Sequence, residues 1–186
     1  MQVKSLWMVL GVLVLITLGF GGCYNGMVNK REAVKSQWAQ VENVLQRRFD
    51  LIPNLVNTVK GYTKHEKELL ENITQARSQW GAAKSPSEKM IANQQLDQSL
   101  ARLLLVVENY PQLKANENFL KLQDELAGTE NRITVERMRY NEAVKEYNVA
   151  VQKFPANLLA GFFGFKENSA YFQAKVEAQE VPKVQF

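Results

Sequence analysis

Two kinds of apolar pattern divide this chain. Leu6 to Phe20 is apolar apart from Thr17 and two glycines, and no charged residue occurs from Ser5 to Asn29. From Val34 onward the pattern is periodic instead. Val34, Trp38, Val41, Leu45, Arg48, Ile52, Leu55, Val59 and Tyr62 follow one another at alternating steps of four and three, which keeps them on one face of a long helix, like the seam of a coiled coil. Gly61 then offers a helix stop, and Thr63-Lys64-His65-Glu66 predicts a capping box opening a second helix. That helix carries Leu69, Leu70, Ile73, Ala76 and Trp80 and runs to about Ala83. Ser85-Pro86-Ser87-Glu88 places serine, proline and glutamate where a helix start wants them. The third helix continues through Leu96, Leu100, Leu103, Leu104 and Val107 and should stop near Asn109, because Pro111 disfavours helix at Tyr110. A fourth begins close to Asn116, carries Phe119, Leu122, Leu126, Thr129, Ile133, Glu136, Tyr140, Val144, Tyr147 and Val151, and ends before Pro155.

The expected architecture is therefore all-α. An N-terminal transmembrane or signal-anchor helix (residues 1–26) precedes an antiparallel four-helix bundle (27–155) with two long and two shorter helices, since short connections make sequential helices antiparallel neighbours. The long helices reach about 54 Å and the short ones roughly 30–36 Å, so the long pair projects or bends. Val34 to Leu45 then lies at the membrane-proximal end, and its stripe is exposed unless the fourth helix or a second copy covers it. This is the sequence's reason to expect a homo-oligomer. Asn157 to Phe165, N-L-L-A-G-F-F-G-F, is too short to cross a bilayer. The expectation for residues 156–186 is an apolar, turn-rich tail packing on the open end of the bundle, with a membrane-surface or partner-docking patch as the alternative.

Counted to Tyr24, the first apolar run spans roughly 28 Å as a helix, close to the hydrocarbon thickness of a bilayer. Cys23, behind Gly21-Gly22, resembles the acylated cysteine of a bacterial lipoprotein, although Phe20 stands where an aliphatic residue is usual. Tyr24 fits an uncleaved span equally, as aromatics favour the membrane interface. The uncleaved single span is favoured over lipidation at Cys23, and membrane lipid is a partner in both cases. Lys4 before the span against Lys30, Arg31, Lys35 and Glu32 after it leans toward a cytoplasmic bundle. The lipoprotein-like ending leans outward, and an extracytoplasmic bundle is preferred.

Charge changes little in this picture. Lys and Arg number 23 against 19 Asp and Glu, a net +4 spread along the chain, whereas a nucleic-acid surface clusters its cations. A single cysteine excludes a disulfide framework. His65, the one histidine, has Glu66, Glu68 and Glu71 nearby, but di-metal bundles need two Glu-x-x-His motifs, so it reads as an exposed residue at a helix start. No catalytic residue, metal ligand or cofactor is indicated. Arg48 sits in the apolar seam, where an unpaired charge is costly, and is expected to snorkel or to pair with a carboxylate of the fourth helix, Glu136 being the seam candidate. Pro53 should kink the first helix and free the Phe49 carbonyl. Asn54 and Asn57 could satisfy it, and Arg48, Asp50, Asn54 and Asn57 could line a docking face or serve packing. Tyr110, before Pro111, reads as a loop staple.

Several stretches resemble the LemA family. They are Tyr24-Asn25 after the apolar run, R-R-F-D-L-I-P-N-L-V-N-T-V-K-G-Y at 47–62, and His65-Glu66. Further on come E-N-Y-P-Q-L-K-A at 108–115, Glu130-Asn131-Arg132-Ile133, Tyr140-Asn141, and Phe163-Gly164-Phe165. The resemblance implies a bacterial, membrane-anchored four-helix-bundle protein whose genes often neighbour those of membrane metalloproteases or TPM-domain proteins, which suggests such proteins as partners. Two functional classes follow: a non-catalytic scaffold or adaptor of the bacterial envelope, single-pass in the membrane, or an enzyme or metal-dependent hydrolase accessory with a site near the Pro53 kink. A membrane-shaping role for the apolar tail is a third.

Overall fold

A computed structural model describes residues 2–63 and 66–173, apart from the side chains at 2–6, 9, 12 and 16. Among the described residues six helices follow in order: α1 (Gln2–Lys60), α2 (Lys67–Ala82), α3 (Pro86–Val107), α4 (Pro111–Lys114), α5 (Glu117–Gln152) and α6 (Ala156–Phe163). The fold is all-α, with no strand among the described residues. α1 is one helix of 59 residues, because its glycines are each tolerated at about 1 kcal/mol relative to alanine and no proline interrupts it before Pro53. The described residues separate into two compact units, one made of residues through Gln37 with Arg139–Tyr171, the other of Trp38–Met138 with Phe172 and Gln173.

In the second unit the α1 seam is buried at Val41, Leu45, Ile52, Leu55 and Val59, with Phe49 and Val56 beside it. α2 and α3 pack on each other across the short Ala83–Ser85 connection, the arrangement of a helical hairpin. α2 turns Leu69, Leu70, Ile73, Ala76 and Trp80 inward. The Phe49 and Trp80 rings stack at 4.8 Å between centroids and 13° between planes, tying α1 to α2. Trp80 Nε1 donates to Gln46 Oε1 at 3.2 Å, Lys89 lies over the Trp80 ring, and Lys89 also pairs with Glu42.

Helix ends follow the local chemistry, with one exception. At α3 the capping box forms as its sequence dictates: Glu88 N–H donates to Ser85 Oγ at 3.2 Å, and Glu88 Oε2 accepts from Lys84 and Ser85 N–H at 2.7 and 3.3 Å. Those backbone bonds hold the Glu88 carboxyl below its ordinary pKa. Asn116 Oδ1 accepts from Phe119 N–H at 3.0 Å at the start of α5. The exception is Thr63. Its hydroxyl donates to the Val59 carbonyl at 3.2 Å, closing α1, while α2 starts after Glu66 without a side-chain cap. Thr63 therefore does not open α2. Lys64 and His65 lie outside the described residues.

The first unit holds the rest of α1, the end of α5 and the segment after it. Tyr140, Val144, Tyr147 and Val151 are buried on α5, and Met27 and Val34 on α1. Lys30 Nζ meets Glu146 Oε2 at 2.6 Å, and that bond lowers the Glu146 pKa. Instead of a turn-rich flap, residues 156–163 form α6, which Gly164 ends at φ +72°, a left-handed position that suits glycine. Val34, Val41 and Leu45 are all buried within a single chain, so the seam itself supplies no reason for a second copy.

Among the described residues no helix is long and apolar enough to cross a membrane. In the Leu6–Phe20 run the described side chains are exposed on every side of α1: Trp7 70%, Leu13 55%, Leu15 70% and Leu18 68%.

Candidate functional site

The most unusual chemistry of the second unit lies around Arg48. The α1 seam points this side chain inward between Leu45 and Ile52, and 5% of the residue remains exposed. Its Nη1 lies 2.7 Å from Asp97 Oδ1 of α3 and 2.7 Å from Glu130 Oε2 of α5. The Glu130 contact is a hydrogen bond, as is a 3.3 Å donation to Asn93 Oδ1; the Asp97 approach is an ion pair outside hydrogen-bond angles. Asn93 Nδ2 in turn donates to Asp97 Oδ2 at 3.2 Å. Arg137 of α5 brings Nη2 to 3.7 Å from the same Asp97 oxygen, and its guanidinium stacks over the Phe172 ring at 5.0 Å. Phe172 in turn stacks on Trp38, with centroids 6.2 Å apart and 22° between the planes.

Two cations thus meet two carboxylates, and the charges of the cluster balance. The carboxylates that pair with Arg48 are Asp97 and Glu130, where the sequence pointed to Glu136. Six residues separate Glu130 from Glu136, about 9 Å along a helix, and the side-by-side register of α1 and α5 decides which of them meets Arg48. Such a cluster joins three helices, and breaking it strands a buried charge. The Arg48 and Arg137 Nε atoms are buried without a protein acceptor.

The other residues singled out in the sequence do not join this cluster. Asp50, Asn54 and Asn57 are exposed. At 100° per residue they fall roughly 120–180° away from Arg48 around α1, so these four side chains do not form one face. Asp50 Oδ1 accepts from Gln46 Nε2 at 2.8 Å, and the Asn54 carbonyl accepts from the Thr58 hydroxyl at 2.8 Å. Pro53 lies inside α1, half-buried. An apolar groove of about 210 Å³ runs beside Arg48 and Glu130, lined by Leu55, Leu103, Leu104 and Phe119, and Asn54 is not part of it. Hence Arg48, Asn54 and a carboxylate do not converge on a common pocket. Tyr110 precedes α4 and its hydroxyl donates to Glu66 Oε1 at 3.2 Å, joining the loop before α4 to the residue that opens α2. Partial burial, then that bond, raises the Tyr110 pKa. His65 lies outside the described residues, and among those described no group of three or more His, Cys, Asp or Glu is arranged to hold a metal ion.

One residue in the first unit escaped sequence reasoning. Asn148 on α5 donates to the Asn168 carbonyl at 2.8 Å and to the Tyr171 hydroxyl at 3.0 Å, and accepts from Asn168 N–H at 2.8 Å. With Tyr147 donating to the Lys166 carbonyl at 2.8 Å, it fastens the segment after α6 along α5. Burial raises the Tyr147 pKa. Its only signal was an asparagine beside the apolar stripe.

The family model of the LemA family matches residues 37–186, which span the Arg48 cluster and the α6 segment. The chain belongs to the LemA family. Among the LemA-like proteins it resembles, the magnetosome protein MamQ 2 of Paramagnetospirillum magneticum is 27% identical over 178 residues, 82% of this chain and 65% of that protein. The magnetosome protein MamQ of Magnetospirillum gryphiswaldense is 25% identical over the same shares of each chain. Protein LemA of Metamycoplasma hominis is 23% identical over 176 residues, 91% of this chain and 78% of that one. The chain thus spans just under two thirds of the length of the magnetosome relatives.

Proposed function

We propose that this LemA-family chain is a non-catalytic scaffold or adaptor of the bacterial envelope, tethered by one N-terminal span and offering helical surfaces to other membrane proteins. One observation carries the tether: large apolar side chains from Trp7 to Leu18 stand exposed around the whole circumference of α1. Water would penalise that surface at roughly 25 cal/mol per Å², and a bilayer removes the penalty. In this reading the second unit is an antiparallel four-helix bundle built from α2, α3 and parts of α1 and α5, and it lies on the extracytoplasmic side. Its buried charges are engaged with one another in the Arg48 cluster, which supports structure and not turnover. The partners that suit it are membrane lipid, a second copy of the chain, and a membrane metalloprotease or TPM-domain protein.

Crosslinking of the full chain in native membranes tests the reading. Repeated capture of one membrane protein, or of a homo-oligomer, supports it. A stoichiometric, tightly bound metal in the purified protein overturns the non-catalytic assignment. Mass spectrometry of the native N-terminus separates the two forms of tether: an intact Met1 marks the uncleaved span, and a diacylglyceryl group on Cys23 marks the lipoprotein.

A further inference from the structure

α6 is amphipathic in the opposite sense from a helix that covers a water-soluble core. It turns Ala156 and Ala160 inward, at 9% and 3% exposure, and leaves Leu158 64%, Phe162 82% and, just before it, Phe154 80% exposed. Small residues inward and large apolar ones outward is the pattern of a helix whose outer medium is lipid. Its position agrees. Phe163 meets Tyr24 edge-on with ring centroids 4.9 Å apart, and Phe165 meets the same ring at 5.6 Å. Tyr24 is where the uncharged run of α1 gives way toward Lys30 and Arg31, and Arg31 lies over Phe165 at 5.0 Å. From Phe154 to Phe165 there is no charged residue, and Lys153 and Lys166 bracket the segment. Aromatic and aliphatic residues flanked by lysines suit the headgroup–acyl boundary of an anionic bilayer.

We infer that α6 lies in the membrane interface, with Phe154, Leu158 and Phe162 inserted among the lipids of the leaflet where α1 emerges. The chain then grips the bilayer at two places, the span and a helix docked beside its end. Tyr24 and Gly164 set the geometry: the tyrosine ring packs the helix against α1, and the left-handed glycine returns the chain toward α5. The occupant of the exposed face is lipid, because α6 docks through Phe163 on Tyr24, just past the apolar run of the span. This inference rests on the tether proposed above.

The test uses the full chain reconstituted in vesicles of phosphatidylcholine and phosphatidylglycerol, carrying the photocrosslinker benzoylphenylalanine at one position per variant. Phe162→benzoylphenylalanine alters a side chain that is already exposed and leaves the fold intact. Leu15→benzoylphenylalanine reports on the span, and Glu142→benzoylphenylalanine on an exposed polar site of α5. Lipid adducts at 15 and 162, with none at 142, are expected. Lipid adducts at 15 with none at 162 overturn the inference and leave the tether standing. A protein adduct in place of lipid at 162 also overturns it and assigns that face to a second copy. No lipid adduct at 15 removes the tether, and the inference falls with it.

Discussion

Arg48 and Asp97 approach to 2.7 Å with 6% and 9% of their side chains exposed, so each charge depends on the other for its place in the interior. Arg48→Ala leaves Asp97 with Arg137 at 3.7 Å as its remaining cation, and removing one partner of a buried pair costs about 3–5 kcal/mol. Urea unfolding of the full chain in detergent, followed by circular dichroism, is expected to show a loss of that size. Arg48→Met together with Asp97→Leu is expected to cost less than Arg48→Ala, since Glu130 is partly exposed and can turn to solvent. Equal stability of Arg48→Ala and the native chain would show that the cluster carries no structural weight.

The stacked pair of Phe49 and Trp80 makes a second claim on stability. Both residues are almost wholly buried, and Phe49→Ala removes a large side chain from a packed site at about 3–5 kcal/mol. Phe49→Leu keeps most of the volume and is expected to cost clearly less. The same unfolding experiment ranks the two, and the reverse order would contradict the packing described here.

How much of this was readable beforehand depended on range. Val41, Leu45, Ile52, Leu55 and Val59 were legible because helical period alone selects them, and Ser85 and Glu88 because capping is local. Phe49 was not, since it lies just off the seam and is buried only because Trp80 of another helix comes to meet it. The partner of Arg48 failed for the same reason: periodicity gives each helix a face but no register against its neighbour. The grouping of Arg48 with Asp50, Asn54 and Asn57 rested on closeness in sequence, and rotation around α1 separates them. The glycines that interrupt the apolar run at 157–165 suggest turns, yet Gly161 is tolerated within α6 and Gly164 ends it.

The α3 cap gives a pH dependence whose sign is fixed. Lys84 and Ser85 N–H groups donate to the Glu88 carboxylate, lowering its pKa in the folded state. A group whose folded pKa is depressed stabilises the fold above its unfolded value, and loses that contribution as pH falls through the folded one. Stability should therefore decline on acidification below the ordinary glutamate range, and less steeply in Glu88→Gln. Ser85→Ala removes the reciprocal acceptor and is expected to cost about 1 kcal/mol at neutral pH. Unfolding midpoints of the three proteins across the acid range check both points; identical pH profiles for native and Glu88→Gln would remove the role assigned to this carboxylate.

Asn148 holds the segment after α6 through three hydrogen bonds, two of them a reciprocal pair with the Asn168 backbone. Asn148→Ala leaves the Asn168 carbonyl and N–H without this partner, and each net hydrogen bond lost is worth about 0.5–1.5 kcal/mol. Asn148→Asp should behave differently from alanine, because a carboxylate still accepts from Asn168 N–H but cannot donate to its carbonyl. Hydrogen exchange reads this directly. The Asn168 amide is expected to lose protection in Asn148→Ala and to keep part of it in Asn148→Asp, while amides in α2 and α3 stay unchanged in both. Uniform loss across α2 and α3 would mean that Asn148 supports the whole fold. Unchanged protection at Asn168 would mean that Tyr147, through the Lys166 carbonyl, holds the segment without it.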